Sequence, residues 1–213
     1  MEIKRTANAG VLLELDGKRI LMDGVCREVK PYLATPAHIR EMLLQELPDA
    51  LLFTHRHTDH YDAAFVSEYL QKTAGPVLGP ADIPFCSENA YVFGPVSITP
   101  VPSRHIGKTE KMGHVSFVLE GSRCIWFLGD ASPLLWKERA DLPTPDVLIA
   151  PYAYGFGGGW QIAKELGAED IVLLHLPRKE DDSYGLWNQV DSEAGRANEP
   201  KVHIPDMGQT IFI

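Results

Sequence analysis

The alternation of apolar and polar positions divides the chain into short strands with helices between them. The clearest signal is in residues 11–23. Val11-Leu12-Leu13-Glu14-Leu15 leads into Asp16-Gly17 and then Lys18-Arg19-Ile20-Leu21-Met22. Asp-Gly between two apolar runs predicts a hairpin, because a two-residue turn needs positive φ angles that Asp and Gly tolerate. Residues 115–119 and 124–128 flank Gly121-Ser122 and predict another hairpin. Met207-Gly208 punctuates a similar arrangement near the C-terminus, with His203 before it and residues 209–213 as the last strand. Thr35 before Pro36 predicts a helix start with proline at the first helical position, followed by an apolar stripe of Ile39, Met42 and Leu43. Asp62 is placed to cap a second helix carrying Phe65, Val66, Tyr69 and Leu70. A third helix is expected after Gly157-Gly158-Gly159, with Ile162, Ala163 and Leu166 on one face. Strands at both ends with helices interspersed predict an α/β domain, its helices outside two packed sheets. A chain of 213 residues suits one core, so residues 1–213 are expected to form a single domain.

Composition narrows the partners. The chain is 45% apolar and 23% charged, as in an ordinary globular protein. Its formal net charge of -9 lacks the basic footprint of nucleic-acid binding, so no nucleic-acid partner is expected. Cys26, Cys86 and Cys124 form no CxxC pair and read as reduced thiols. The first residues do not read as a signal peptide, and no apolar run approaches the roughly 20 residues of a membrane span. A cytoplasmic location away from membranes is the expectation.

The chemistry is concentrated in Thr54-His55-Arg56-His57-Thr58-Asp59-His60. Three of the chain's eight histidines fall within six positions, together with a carboxylate. Imidazole and carboxylate are the usual ligands of zinc and similar divalent ions. Residues 49–53 read as a buried strand. In an extended segment leaving it, a spacing of two sets His55 and His57 on one side, with Asp59 and His60 just beyond. Three further candidates stand after strand-like runs: His105 after residues 96–101, Asp130 after residues 124–129, and His175 after residues 171–174. If those strand exits share one edge, the ligands converge without long reach. His114 opens a strand rather than leaving one and reads as structural, as do His38 and His203.

This pattern resembles the metallo-β-lactamase superfamily, whose hallmark is HxHxDH followed by a distant His, Asp and His. The likeness spans almost the whole chain. The short length and the Phe-Leu-Gly-Asp context of Asp130 look most like the branch of ascorbate-6-phosphate lactonase and related small hydrolases. The resemblance implies a four-layer αββα sandwich with a two-metal site at one edge. It implies that His55, His57 and His105 hold one ion, that Asp59, His60 and His175 hold the other, and that Asp130 bridges them. It also implies that Asp23 supports the ligands from behind. Zinc is the foremost candidate, with manganese or iron also suited to this donor set. The implied activity is hydrolysis of a small ester, lactone or phosphoester by a metal-bound hydroxide, with Asp59 orienting it or accepting its proton.

Several residues around this cluster are expected to meet a small, anionic substrate. Arg104 and Lys108 flank His105 and can pair with an anionic group. Residues 152–160 are aromatic and glycine-rich and could form a covering loop, with Tyr154 and Trp160 as contacts. Those glycines lack the GxxxxGK[ST] pattern of a nucleotide phosphate loop, and no GxSxG elbow is present. Asn8-Ala9-Gly10 stands where related small hydrolases carry a His-containing loop. Two other readings share the scaffold: an iron-dependent oxidoreductase or sulfur dioxygenase, and a non-catalytic metal-binding protein. The first is disfavoured in its diiron flavoprotein form, which usually has glutamate at the position of His57. The second is disfavoured by the complete ligand set.

Overall fold

A computed structural model describes residues 1–107, 112–136, 139 and 141–213. In the first sheet, β1 (Glu2–Arg5), β2 (Val11–Leu15), β3 (Lys18–Met22), β4 (Ala50–Leu52) and β5 (Val77–Leu78) lie side by side in chain order. In the second, β6 (Tyr91–Phe93), β7 (Val96–Pro102), β8 (Val115–Glu120), β9 (Cys124–Phe127), β10 (Val147–Pro151), β11 (Asp170–Leu174) and β12 (Lys201–His203) do the same. The last strand, β13 (Thr210–Phe212), returns to the first sheet beside β1. Helices α1 (Ala37–Glu46) and α2 (Ala63–Lys72) pack on the outer face of the first sheet, and α3 (Gly157–Glu165) and α4 (Leu186–Ser192) on that of the second. The layers therefore run αββα.

The apolar runs are continuous because these strands are buried on both faces. The period of two sorts them. Ile125 and Phe127 of β9, Val147 and Ile149 of β10, and Val172 and Leu174 of β11 meet Val11, Leu13 and Ile20 between the sheets. Trp126, Leu148, Ile171 and Leu173 face the other way and pack with Trp160, Ile162, Ala163 and Val190. On the opposite side, Ile39, Leu43, Phe65, Val66 and Tyr69 cover Leu12, Leu21 and Leu51. Among the described residues, no helix is long and apolar enough to cross a membrane.

Strand direction decides which residues can meet. β9, β10, β11 and β12 run parallel. β8 is antiparallel to both β7 and β9, so β7 ends, and β8 begins, at the edge where β9 ends. The exit of β4 joins this edge, where the Val115 amide donates to the Thr54 carbonyl at 2.9 Å.

The hairpin at Asp16-Gly17 forms as expected, with φ of 51° and 73°, and so does that joining β8 to β9. Asp62 caps α2, accepting from the amides of Ala64 at 2.8 Å and Phe65 at 3.3 Å. Three details differ. Pro36, not Thr35, is the N-cap of α1, and no side chain caps it. The Thr35 hydroxyl instead accepts from the Cys26 amide at 3.0 Å, so fixing the preceding loop wins over capping. Helix α3 begins at Gly157 and contains all three glycines. No C-terminal hairpin forms around Met207-Gly208. β12 pairs with β11 and β13 with β1, so this turn carries the chain from one sheet to the other. His203 Nε2 lies 2.7 Å from Asp170 Oδ1 on the neighbouring strand.

Candidate metal centre

Asp23, at the end of β3, is fully buried and organises the exit of β4. Its carboxylate accepts from the Thr54 amide at 2.8 Å and the Thr54 hydroxyl at 2.6 Å. Its Oδ2 also lies 2.8 Å from His60 Nδ1, and the Thr54 hydroxyl oxygen lies 3.0 Å from His55 Nδ1. These contacts assign the tautomers. The Thr54 proton goes to Asp23, so His55 Nδ1–H donates to Thr54, and His60 Nδ1–H donates to Asp23. Both rings then present the Nε2 lone pair, as metal-ligating histidines do when a carboxylate or hydroxyl holds the other nitrogen. His105 is fixed likewise, its Nδ1 donating to the Ile106 carbonyl. On the far side, Asn8 Nδ2 sits 3.4 Å from His175 Nδ1, and the Tyr32 ring meets the His175 ring edge-on at 4.3 Å.

The seven expected ligands come together at this edge. The ligand atoms of His55, His57 and His105 lie within 4.8 Å of one another, as do those of Asp59, His60 and His175. A third grouping, Asp23, His55 and His60, is accounted for by the hydrogen bonds just described. Asp130 stands between the first two. Its Oδ2 is 3.5 Å from His60 Nε2, 3.4 Å from His105 Nε2 and 3.5 Å from His175 Nε2. Asp59 Oδ2 is 3.3 Å from His175 Nε2.

The donors fit divalent cations. The Nε2 atoms of His60, His105 and His175, and Asp130 Oδ1, are buried without a hydrogen-bond partner. Each such orphan costs about 1–3 kcal/mol in a folded protein. Four converging on one place form a donor set that cations satisfy. The electrostatics agree. Burial opposes charge on Asp130, but His175 and His60 outweigh it and hold the carboxyl well below the ordinary range. Burial opposes charge on His60 too, and Asp130 and Asp23 hold its pKa well above the usual value, so these carboxylates favour a positive charge at His60 Nε2, a proton or, in its place, a bound cation. Burial, reinforced by His60, pushes His55 well below the ordinary histidine range.

The backbone is unusual at the same points. Asp23 and His175 adopt positive φ, 46° and 63°, where non-glycine residues are strained by about 1–3 kcal/mol. Gly129, before Asp130, has φ of 54°, and a Cβ there would lie 2.4 Å from Thr54 Oγ1. Only glycine lets this loop lie against Thr54 and aim Asp130 inward.

Other expectations are corrected. Tyr154 is fully buried in the core under α3, and its hydroxyl donates to the Ala131 carbonyl at 2.9 Å. Trp160 is buried in the same cluster. Neither can touch a substrate. The segment is no covering loop: residues 152–154 form a short 3-10 turn that runs directly into α3. Only Tyr152 approaches the centre, its ring 6.2 Å from that of His175. Arg104 is exposed, and Lys108 lies outside the described residues.

Asn8, Tyr32 and His114 were not anticipated at the centre. His114 is buried, with its ring stacked on His55 at 5.1 Å and 30°. A usable signal existed for His114, since the start of an antiparallel strand lies beside the ends of its neighbours. Tyr32 follows no strand and carries no pattern.

Comparison with known proteins agrees with this architecture. The family model described as "Beta-lactamase superfamily domain" matches residues 2–173. A search of curated proteins finds no match. Among solved structures, the chain resembles an isothiocyanate hydrolase from Delia radicum gut bacteria, with TM-score 0.68, 19% identity, and 100% of this chain and 99% of that chain covered. It resembles Igni18, a metallo hydrolase of Ignicoccus hospitalis, with TM-score 0.67, 20% identity, and 99% and 97% covered. It also resembles CmlA, a diiron β-hydroxylase of Streptomyces venezuelae, with TM-score 0.69 and 14% identity, although this chain spans only 54% of that one. With 172 of its 213 residues under the family model and two sheets enclosed by helices, the chain belongs to the β-lactamase superfamily and has the metallo-β-lactamase fold.

Proposed function

We propose that this chain is a metal-dependent hydrolase that holds two divalent cations and cleaves a small ester, lactone or phosphoester. The observation that carries the reading is the convergence of four buried, unpartnered donor atoms on His60, His105, His175 and Asp130. In this reading His55, His57 and His105 hold one ion, Asp59, His60 and His175 hold the other, and Asp130 bridges them. The chemistry that cations would supply there is a lowered pKa for a bound water and polarisation of a substrate oxygen. Histidine and carboxylate donors favour zinc and accept manganese or iron.

The chain's own side chains do the remaining work. Asp23 and Thr54 keep the Nε2 lone pairs of His60 and His55 turned towards the centre. Burial of His55 and His60 excludes water from behind it. Burial opposes charge on Asp59, but its contact with His175 helps hold the carboxyl below the ordinary range. Asp59 is therefore an ionised group able to accept a hydrogen bond from a water and so orient it. A small-molecule substrate suits a chain of net charge -9 better than a nucleic acid does.

The test begins with metal-stripped protein, reconstituted with zinc and counted. It continues with a panel of lactones, aryl esters, phosphodiesters, an isothiocyanate and single-stranded RNA. The isothiocyanate is included because one structural neighbour is a hydrolase of that class. Close to two ions per chain, and turnover of a small ester or lactone that EDTA abolishes, are expected. Absence of bound metal, or cleavage of RNA alone, would overturn the reading.

A further inference from the structure

A cavity of about 360 Å³ lies next to the centre, on its His175 side. Two of its wall residues, Asn8 and Tyr32, also touch His175. Its volume is within the range of small-ligand sites. A ligand part seated in it would thus lie one side chain from the reacting centre.

The chemistry of the wall says what that part is. Most of the polar groups are already engaged within the protein. Buried Arg5 donates to the carbonyls of Ala7 at 3.2 Å, Pro205 at 3.0 Å and Asn8 at 3.1 Å. Trp187 Nε1 donates to the Pro177 carbonyl at 2.8 Å. Arg178 pairs with Asp181 at 2.6 Å, and the Lys179 ammonium lies 4.7 Å from the centre of the Trp187 ring. What remains is mostly apolar surface, from Tyr32, Leu33, Leu176, Trp187 and Met207, beside the exposed Asp206. The Tyr32 ring packs edge-on against His175, with 4.3 Å between ring centres, and so forms the wall nearest the centre. Affinity here must come from burying apolar surface, aromatic surface above all.

We infer that this cavity is the subsite for an apolar, aromatic or branched substituent on the substrate, with the scissile group lying across Tyr32 at the metal centre. The inference rests on the proposed hydrolase activity and narrows its substrate class to uncharged side groups of about phenyl size.

Two measurements test it. The first compares 4-nitrophenyl acetate with 4-nitrophenyl 3-phenylpropionate on the metal-loaded protein. A kcat/KM at least about tenfold higher for the phenylpropionyl ester is expected, since burial of a ring-sized apolar group is worth that much or more. Leu33→Trp, which fills the cavity from its exposed rim, and Trp187→Ala, which removes its aromatic wall, should each bring the ratio to within about threefold of unity. Counting metals in each variant separates this effect from loss of the centre. Equal turnover of both esters by the unaltered protein, or a ratio that survives both substitutions, would overturn the inference and leave the hydrolase reading intact. The second measurement is calorimetric binding of the uncharged probe 3-phenylpropanamide, which needs no turnover. Saturable binding that weakens at least about tenfold in Trp187→Ala supports the cavity even if neither ester is cleaved. No binding, or binding indifferent to Trp187, counts against it.

Discussion

The position formed by Asp59, His60 and His175 and the one formed by His55, His57 and His105 share Asp130 but are supported differently. All three residues of the first are buried. Behind them stand Asp23 on His60, and Asn8 and Tyr32 on His175. In the second position only His55 is buried, while His57 and His105 are partly exposed. His57 makes its close contacts with other histidines: Nδ1 is 3.0 Å from His55 Nε2, and its ring is 4.9 Å from that of His105. His60 and His175 of the first position are held in shape before any ion arrives, and so are His55, by Thr54, and His105, by the Ile106 carbonyl, in the second. The second, open position differs in its exposure and in His57, which can change its coordination as a substrate approaches. Preorganised ligands bind tightly because less ordering remains to be done on binding.

The largest test of this comparison removes what the positions share. Asp130→Ala should lower metal content from near two ions per chain to below one, with at least about 100-fold weaker binding of what remains, since even residues behind the ligands typically cost 10–100-fold. Titration showing two tightly held ions in this variant would mean that Asp130 bridges nothing.

Single-position variants then separate the two sides. His60→Ala should weaken one ion by about 100-fold or more, because a buried vacancy with Asp23 behind it cannot be filled by solvent as well. His57→Ala should cost about tenfold, since water can take an exposed coordination place. Equal losses would erase the proposed asymmetry. Asp23→Asn is the third step. It keeps the shape but weakens the hold on His60 and Thr54, so about 10–100-fold lower affinity is expected at the buried position, with a smaller loss at the other, passed through Thr54 to His55. If the loss falls equally on both ions, Asp23 acts through the whole edge rather than through His60.

The ligands and the residues that support them were unequally legible in the amino-acid sequence. HxHxDH after an apolar run is local, so one short window holds four of the seven candidate ligands. Asp130 and His175 were readable for another reason: each follows a strand whose continuous apolar run reflects burial on both faces. The supporting residues were not readable in this way. Asn8 and Tyr32 lie in loops, and their contacts with His175 span 167 and 143 positions of chain. No local periodicity encodes such a contact. Tyr154 and Trp160 misled because an aromatic, glycine-rich stretch looks the same whether its rings face a ligand or the core. The inward face of α3 decides for the core. The C-terminal turn misled because apolar runs flanking a Gly pair with whichever sheet edge is open, and here two sheets offered one each.

The smallest expected effect belongs to His114, and it tests whether nearness to the centre implies a place in it. Its Nδ1 is 2.8 Å from Ser103 Oγ, which lies 3.0 Å from Ser116 Oγ, and the Ser116 hydroxyl donates to the Leu128 carbonyl at 2.9 Å. With the Ser116 proton committed, Ser103 must donate to Ser116, so His114 donates to Ser103 and its Nε2 carries a lone pair. That nitrogen is buried and unpartnered, yet it belongs to none of the three groupings able to hold an ion. Burial holds the ring neutral by lowering its pKa to about 3. The ring therefore acts on the open position by packing alone, stacking on His55 and meeting the His105 ring edge-on at 5.7 Å. His114→Phe keeps an aromatic surface there and removes one hydrogen bond, at a cost of about 1 kcal/mol in stability. Both ions should remain, with affinities within about threefold of the unaltered protein, whereas His105→Ala should lose the ion on its side by at least about 10–100-fold. Metal titration of the two variants in parallel reads this directly. The opposite ranking would make His114 a ligand and His105 a bystander, and the open position would then be buried like its neighbour.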